Sequence, residues 1–333
     1  MTLLFTPSRR RAIGWLGVPL LASLGPARAA EDFPARPVRI LVPFTPGGSS
    51  DILARAIGQE LGRGWKQPVV VENLPGAGGT LASERAARSP ADGHTLFMGH
   101  TGTLAVNPAL YPKLRFEPLK AFAPVAAVAR VPNVLVVHPG VPASSLAELV
   151  AYSKAKPGAL AYGSGGNGSA AHLTMEYIKL QTGLQALHVP YKGTAPSVND
   201  LLGGQVQLLF TGAPALLPHI KSGGMKALAV SSPRRLPQLP DVPTVAETGL
   251  AGTGGFEADQ WYGLVAPAGT PGAVLQTLNT LVNQALASEG VRARLVSEGA
   301  DPMPITPQAF GALIEKDRVR WESVVKTAKV SVD

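Results

Sequence analysis

Two stretches of this chain are built to hold an anion without a charged side chain. The first is Val38–Ile57, reading VRILVPFTPGGSSDILARAI. A β-branched run (Val38, Ile40, Val42) breaks at Pro43 and Pro46, turns through Gly47 and Gly48, and meets Ser49 and Ser50. Ile52, Leu53, Ala56, Ile57 and Leu61 then recur at helical spacing, which predicts a strand, a turn and a helix. Serines at a helix start act as caps, and the free N–H groups there lie at the positive end of the helix dipole. Carboxylates and phosphates bind at such places. The second stretch, Gly163-Ser164-Gly165-Gly166-Asn167-Gly168-Ser169, follows a strand-like Ala159–Tyr162 and precedes a helix with Leu173, Tyr177 and Leu180 on one face. If the two helix starts face each other, their backbone donors converge on one cleft, which suits a ligand with a carboxylate at each end. A helix end contributes about 0.3–1 kcal/mol, and about 2 when partly buried, so micromolar affinity needs several donors. His172, one turn into the second helix, and Tyr191, at a strand end, are candidate side-chain contacts. Their alternatives are a surface helix residue and a core aromatic.

Other chemistries lack their residues. Gly163–Gly168 fits G-x-G-x-x-G, yet a dinucleotide fold also needs an acid about 20 residues on for the ribose hydroxyls. Position 188 is His188, and Asp200 falls later, inside a helical run. No G-x-x-x-x-G-K-S/T run offers a lysine to a nucleoside triphosphate, and no G-x-S-x-G elbow marks a serine hydrolase. The six histidines include no pair three or four residues apart, and the absence of cysteine removes thiolate nucleophiles, disulfides and zinc–thiolate sites. No catalytic residue, metal or cofactor is therefore expected. Basic residues such as Lys113, Arg115, Lys154 and Arg234 are scattered without interleaved aromatics, so nucleic acid is not an expected partner.

The elements that carry these loops follow from periodicity. Strand-like and helix-like runs alternate along most of the 333 residues, predicting parallel-rich α/β sheets. Pro68–Glu72 reads as a strand that ends in the turn Asn73–Gly79, before a helix at about Thr80–Arg88. Thr95–Met98 is a third strand, ending in Gly99-His100-Thr101-Gly102-Thr103. Ligands of open α/β sheets sit beyond the carboxyl ends of strands, where such loops meet. A second series starts near Val131, with a strand at Asn133–Val137 and a capping box at Ser145–Glu148, and runs to Leu228–Ser231. Two amphipathic helices close the chain, the last opened by Thr306 and Pro307. The expectation is two lobes, 30–130 with 251–333 and 131–250, joined by crossings near 130 and 250 that act as hinges. Ahead of them, Arg9–Arg11, the apolar Ala12–Leu24 and Ala27-Arg28-Ala29 read as a signal peptide over residues 1–29, of twin-arginine-like or Sec type. Those residues hold four arginines and no acid, so their removal lowers the formal charge from +8 to +4. No later run nears the roughly 18 apolar residues of a membrane span, so the mature chain is expected to be soluble.

The chain resembles the Bug-type extracytoplasmic solute receptors, the substrate-binding proteins of tripartite tricarboxylate transporters. The resemblance spans about 33–330. It is carried by FPARPVRILVPFTPGGSSDILAR (33–55), QPVVVENLPGAGGTLASERAAR (67–88), DGHTLFMGHTGTLAVNPALYPKL (92–114), YGSGGNGSAAHL (162–173), VPYKGTAPSVNDLLGGQVQLLF (189–210) and RRLPQLPDVPTVAETGL (234–250). It implies an α/β periplasmic binding protein fold of type II-like form, with mixed, mostly parallel sheets and a cleft between two lobes. It also implies a periplasmic, monomeric receptor that presents a small carboxylate to membrane permease subunits. An exported sensory subunit is the alternative, and an exported hydrolase a more distant one.

The resemblance assigns ligand contacts as well. In the first lobe they are the turn Phe44, Pro46, Gly47, Gly48, Ser49, Ser50 and Asp51, the loop Ala77-Gly78, and His100, Thr101, Gly102 and Thr103. In the second they are Ser164, Gly165, Asn167, Gly168, Ser169 and His172, with Tyr191 nearby. Asp51 is read mainly as ordering the turn, because a bare acid repels an anionic ligand. Family members often carry Asp after the Phe that is Phe210 here, where this chain has Thr211. An acid there pairs with a ligand ammonium, so Thr211 argues against an amino acid. His100, in place of a smaller residue, offers a donor to a second carboxylate or a face to an aromatic ring. A dicarboxylate or aromatic carboxylate is the expected ligand.

Overall fold

The computed structural model describes residue 2 and residues 33–328, apart from 66, 112, 113, 115 and 116. The expected signal peptide thus lies outside the described residues, save Thr2. Two sheets form the framework. The first holds β1 (Val38–Val42), β2 (Val69–Asn73), β3 (Thr95–His100), β4 (Phe122–Val131), β10 (Gln260–Pro267) and the two-residue β11 (Asp301–Pro302). The second holds β5 (Asn133–Val137), β6 (Ala161–Ser164), β7 (Leu187–Pro190), β8 (Leu208–Gly212) and β9 (Lys226–Val230). Both belong to one compact unit.

The two sheets repeat one plan. The first is ordered β2-β1-β3-β10-β4 with β11 beyond, and the second β7-β6-β8-β5-β9. In each, the first strand of the lobe lies between the second and third, and a strand arriving from the other lobe is inserted before the fourth. That arriving strand runs opposite to its neighbours: β10 is antiparallel to β3 and β4, and β5 to β8 and β9. The reason is geometric. Strands that carry loops to the cleft run towards it, whereas a strand entering from the hinge runs away. The β1–β2, β1–β3, β6–β7 and β6–β8 pairs are parallel, so the sheets are mixed with one dominant direction.

Helices fill the connections. In the first lobe these are α1 (Ser49–Trp65), α2 (Thr80–Ala87) and the short α3 (Asn107–Leu110) and α4 (Pro118–Ala121). In the second they are α5 (Leu146–Ala155), α6 (Ala170–Thr182), α7 (Thr194–Leu202) and α8 (Leu217–Lys221). The tail adds α9 (Gly272–Ala287), α10 (Glu289–Ser297) and α11 (Pro307–Ala328). Helix α9 packs on β4 and α1. Helix α11 touches β4 and also α6, so its Trp321 and Val325 join a core with Tyr162, Leu173 and Phe210.

Some boundaries differ from the sequence reading. Phe122–Val131 is a ten-residue strand that periodicity missed, because Pro124 interrupts it. Proline is tolerated where no ladder hydrogen bond is needed, and β11 covers only Ala129 and Arg130 on that side. The first crossing is Pro132, between β4 and β5. The second is Asp259, beyond the expected 250, because Phe256 and Ala258 are still buried in the second lobe's core with Val245. At α5, Ser145 Oγ accepts from Glu148 N at 3.1 Å, but the Glu148 carboxylate returns to Ser144 N at 2.7 Å, one residue earlier than a capping box requires.

Candidate ligand-binding cleft

The equivalent first strands, β1 and β6, lead into the two glycine- and serine-rich helix starts. Strand order changes direction between the first and third strands of each sheet, where ligands of α/β folds lodge. The ends of the third strands supply His100 and Thr211 on the two sides.

At α1 the turn closes on glycine. Gly47 adopts φ +86°, and Gly48 O accepts from the N–H groups of Asp51 and Ile52, both at 3.0 Å. Ser49 and Ser50 therefore lie inside the first turn, 4% exposed, instead of capping it as expected. Asp51 ties the turn together. It accepts from Gly47 N at 3.0 Å, Asn73 Nδ2 at 3.0 Å and Arg55 at 2.9 and 3.1 Å. Burial raises its pKa, but Arg55, Gly47 and Asn73 together outweigh that and hold the carboxyl below its ordinary value.

At α6 Ser169 is the cap, its Oγ accepting from His172 N at 3.3 Å. Ser164 Oγ takes the Gly166 N–H at 3.1 Å and lies 2.7 Å from His188 Nε2. Gly168 donates its N–H to His172 Nδ1 at 3.1 Å.

The first-lobe wall is aromatic. His100 Nδ1 accepts from Thr103 N at 3.1 Å, which leaves the ring proton on Nε2. Burial pushes its pKa down to about 3, so the ring is neutral. Phe44 meets it edge-on at 5.2 Å between centroids, and Tyr262 lies 5.7 Å away. Tyr262 Oη donates to Gln260 Oε1 at 2.8 Å, with the Ser49 hydroxyl as a second partner. Gln260 Nε2 in turn donates to Asn133 Oδ1, and Asn133 Nδ2 reaches Ala258 O at 2.6 Å. A chain of buried hydrogen bonds thus runs from the α1 start to both crossings.

These groups enclose a cavity of about 20 Å³. It is lined by Phe44, Gly48, Ser49, Ser50 and His100 from the expected first-lobe set, and by Gly165, Ser169 and Thr211 from the second. Thr194, Ala170, Ala171, Gln260 and Tyr262 complete it. No side chain in this lining is an acid, a lysine or an arginine. The remaining candidates stand elsewhere. Pro46 and Gly47 are exposed on the outer side of the turn, and Asp51 is enclosed by its partners. Thr101 Oγ1 accepts from Trp261 N at 3.0 Å, while Thr103 holds His100; Gly102 abuts that ring and the Ala170 N–H. Ser164, Gly168 and His172 are outside this lining, and Gly168 faces Asn107 and Tyr111 of the first lobe. Ala77, Gly78, Asn167 and Tyr191 line a second cavity of about 350 Å³ between the lobes, with Tyr111 and Lys192. Tyr191 Oη donates to Asp200 at 2.6 Å, and the outer wall is latched where Tyr111 Oη donates to Asn167 O at 2.7 Å.

Two of the residues not foreseen carried a signal. Gln260 is a buried polar residue heading an otherwise apolar strand, and Thr194 follows Gly193 at a third glycine–hydroxyl helix start. Tyr262 carried none, since only the pairing of β10 with β3 brings it beside His100.

A volume near 20 Å³ admits about one water and no organic molecule. Among the described residues no cluster of histidine, aspartate or glutamate is arranged for a metal, and no helix is long and apolar enough to cross a membrane.

Known proteins share this architecture. The Bordetella pertussis protein BugT is 40% identical over 299 residues, 90% of this chain and 91% of its own. A solved R. palustris protein, Rpa4515 with adipate, is 39% identical with a TM-score of 0.86, covering 90% of this chain and 99% of that one. MatC from Rhodopseudomonas palustris with bound malate is 37% identical with a TM-score of 0.84, covering 88% and 100%. The model of the tripartite tricarboxylate transporter family receptor matches residues 53–330. With its twin lobes and its paired helix starts at one cleft, the chain belongs to that receptor family.

Proposed function

We propose that this protein is a periplasmic receptor that closes its lobes on a small organic carboxylate and delivers it to the membrane permease of a tripartite tricarboxylate-type transporter. The observation that carries this reading is the lining. The starts of α1, α6 and α7 meet at one cavity that has hydroxyls and backbone amides but no basic side chain. Amides at helix starts accept any carboxylate, and hydroxyls from Ser49, Ser50, Ser169 and Thr194 add donors.

The second end of the ligand is a further carboxylate. His100 keeps its ring proton on Nε2 and supplies a neutral donor. No acid is present to meet an ammonium, since Thr211 stands at that end of β8. The solved relatives with adipate and with malate support the same class. Residues 1–29 supply the export signal, and the family match supports delivery to a permease.

Isothermal titration with adipate, malate, benzoate, glutamate and glucose tests this. Adipate or malate is expected to bind in the micromolar range. Ser169→Val, which removes a cap hydroxyl, and Gly48→Val, whose Cβ would already touch Thr194 Cβ at 3.6 Å so that its γ-methyls fill the small cavity, should each weaken it about tenfold or more. Binding of glucose or a metal ion with no response to any carboxylate would sink the reading.

A further inference from the structure

Behind the second-lobe loop, two imidazoles from different elements lie face to face. His172 of α6 and His188 of β7 have ring centroids 4.0 Å apart and planes 6° from parallel. Each secures one end of the loop. His188 Nε2 lies 2.7 Å from Ser164 Oγ, which holds Gly166 N, and His172 Nδ1 accepts the Gly168 N–H at 3.1 Å. Gly165 lies between these anchors and Ser169 just beyond them, and both line the cavity. Gly166 and Gly168 take φ +114° and +75°, and a run with three glycines has little conformational preference of its own. Something outside it must fix its curve.

We infer that His172 and His188 are positioning residues for ligand binding, a splint that fixes the Ser164–Ser169 loop so that its amides and hydroxyl aim into the cleft. The inference rests on the carboxylate-receptor reading above. Chemistry limits the splint to neutral rings. Gly168 is a donor, so Nδ1 of His172 must be bare; a proton there sets two N–H groups against each other. Two stacked imidazolium rings also repel. The neighbouring groups agree with this state. Tyr162 stacks on His188 at 4.8 Å and donates to Glu176 at 2.5 Å, while Lys179 pairs with Glu176 at 2.7 Å. Burial, then the Lys179 charge, brings the His172 pKa down to about 4. Burial, His172 and Lys179 bring His188 to about 3, against an upward pull from Glu176.

The test compares wild type with His172→Leu and His172→Asn. It measures amide hydrogen exchange at Gly165–Ser169 and titrates adipate and malate. Asparagine offers Oδ1 where Nδ1 stood but does not titrate. His172→Leu should speed loop exchange and weaken binding about tenfold, and His172→Asn should recover most of both. The ratio of wild-type to His172→Asn dissociation constants cancels the ligand's own titration; it should be flat from pH 7 to 5 and rise below about 4.5. If His172→Leu does not fold, His188→Gln takes its place. Loop exchange in the leucine variant equal to wild type, or no recovery by asparagine, would overturn the splint. Wild type that binds neither acid but keeps the exchange pattern would sink the receptor reading and leave the splint standing.

Discussion

Thr211 and Asp51 show how one side chain sets what the cleft accepts and what holds it. Thr211 is 4% exposed, in the cavity lining. Thr211→Asp places a carboxylate opposite the helix starts, so affinity for adipate should fall at least tenfold while glutamate gains; parallel titrations check this. Asp51 acts on the scaffold. Asp51→Ala leaves Gly47 N without its acceptor and Asn73 Nδ2 with only the Phe44 carbonyl, and should cost about 1–3 kcal/mol in urea unfolding. Three buried histidines set the acid limit. His100, His172 and His188 have folded pKa values near 3, 4 and 3, below the unfolded value of about 6.5. The unfolded chain therefore takes up protons first as pH falls, and stability is lost from about pH 6.5 down towards 4. Asp259 acts the other way. Burial raises it to about 6, against the pull of Ser231 and Arg130, so it disfavours the folded state as pH rises from about 4 through 6. The three histidines outnumber it, and melting temperature should drop between pH 6.5 and 4. A melting temperature that is flat or rises over that range contradicts the assignment of neutral rings.

At the scale of elements, legibility followed sequence distance. The β1–turn–α1 and β6–loop–α6 units were readable because strand, glycine turn and helix are consecutive and each has its own period. The cavity residues on β10 were not. Gln260 and Tyr262 reach the cleft only because a strand more than 150 residues beyond β3 is inserted beside it, a non-local pairing with no local signature. The setting of His172 was hidden for a similar reason. Nothing in its own helix tells that His188, from a separate strand, stacks on its ring. The hydrogen-bond chain from Ser49 to Asn133 makes Gln260 a joint between cleft and crossings. Gln260→Leu should leave Asn133 and Tyr262 short of partners, lowering stability by about 1–3 kcal/mol and adipate affinity together. Urea unfolding and titration on one preparation would reveal any decoupling of the two.

For the whole molecule, the seam between the lobes governs exchange of ligand. Tyr111 Oη and Asn167 O form a cross-lobe hydrogen bond, and a Cβ on Gly78 would sit 2.3 Å from the same oxygen. Gly78 also has φ +58°, so Gly78→Ala should hold the lobes apart and weaken binding with little change in unfolding of the open form. Tyr111→Phe removes only the latch and should raise the ligand off-rate about five- to tenfold in stopped-flow displacement. Closure leaves Thr45 Oγ1 and Asn107 Oδ1 buried without partners, a cost that water removes when the lobes part. Solution scattering should therefore show a more extended particle before adipate is added than after.

A cavity lined by no arginine or lysine leaves the guest's charge uncompensated where it binds. From residue 30 onward the chain has a formal charge of +4, and capture of a dianion takes the complex to +2. Loaded and empty receptors should then elute at different salt concentrations from a cation exchanger. Any acidic or basic membrane surface that meets them feels two distinct electrostatic objects, even where their shapes agree.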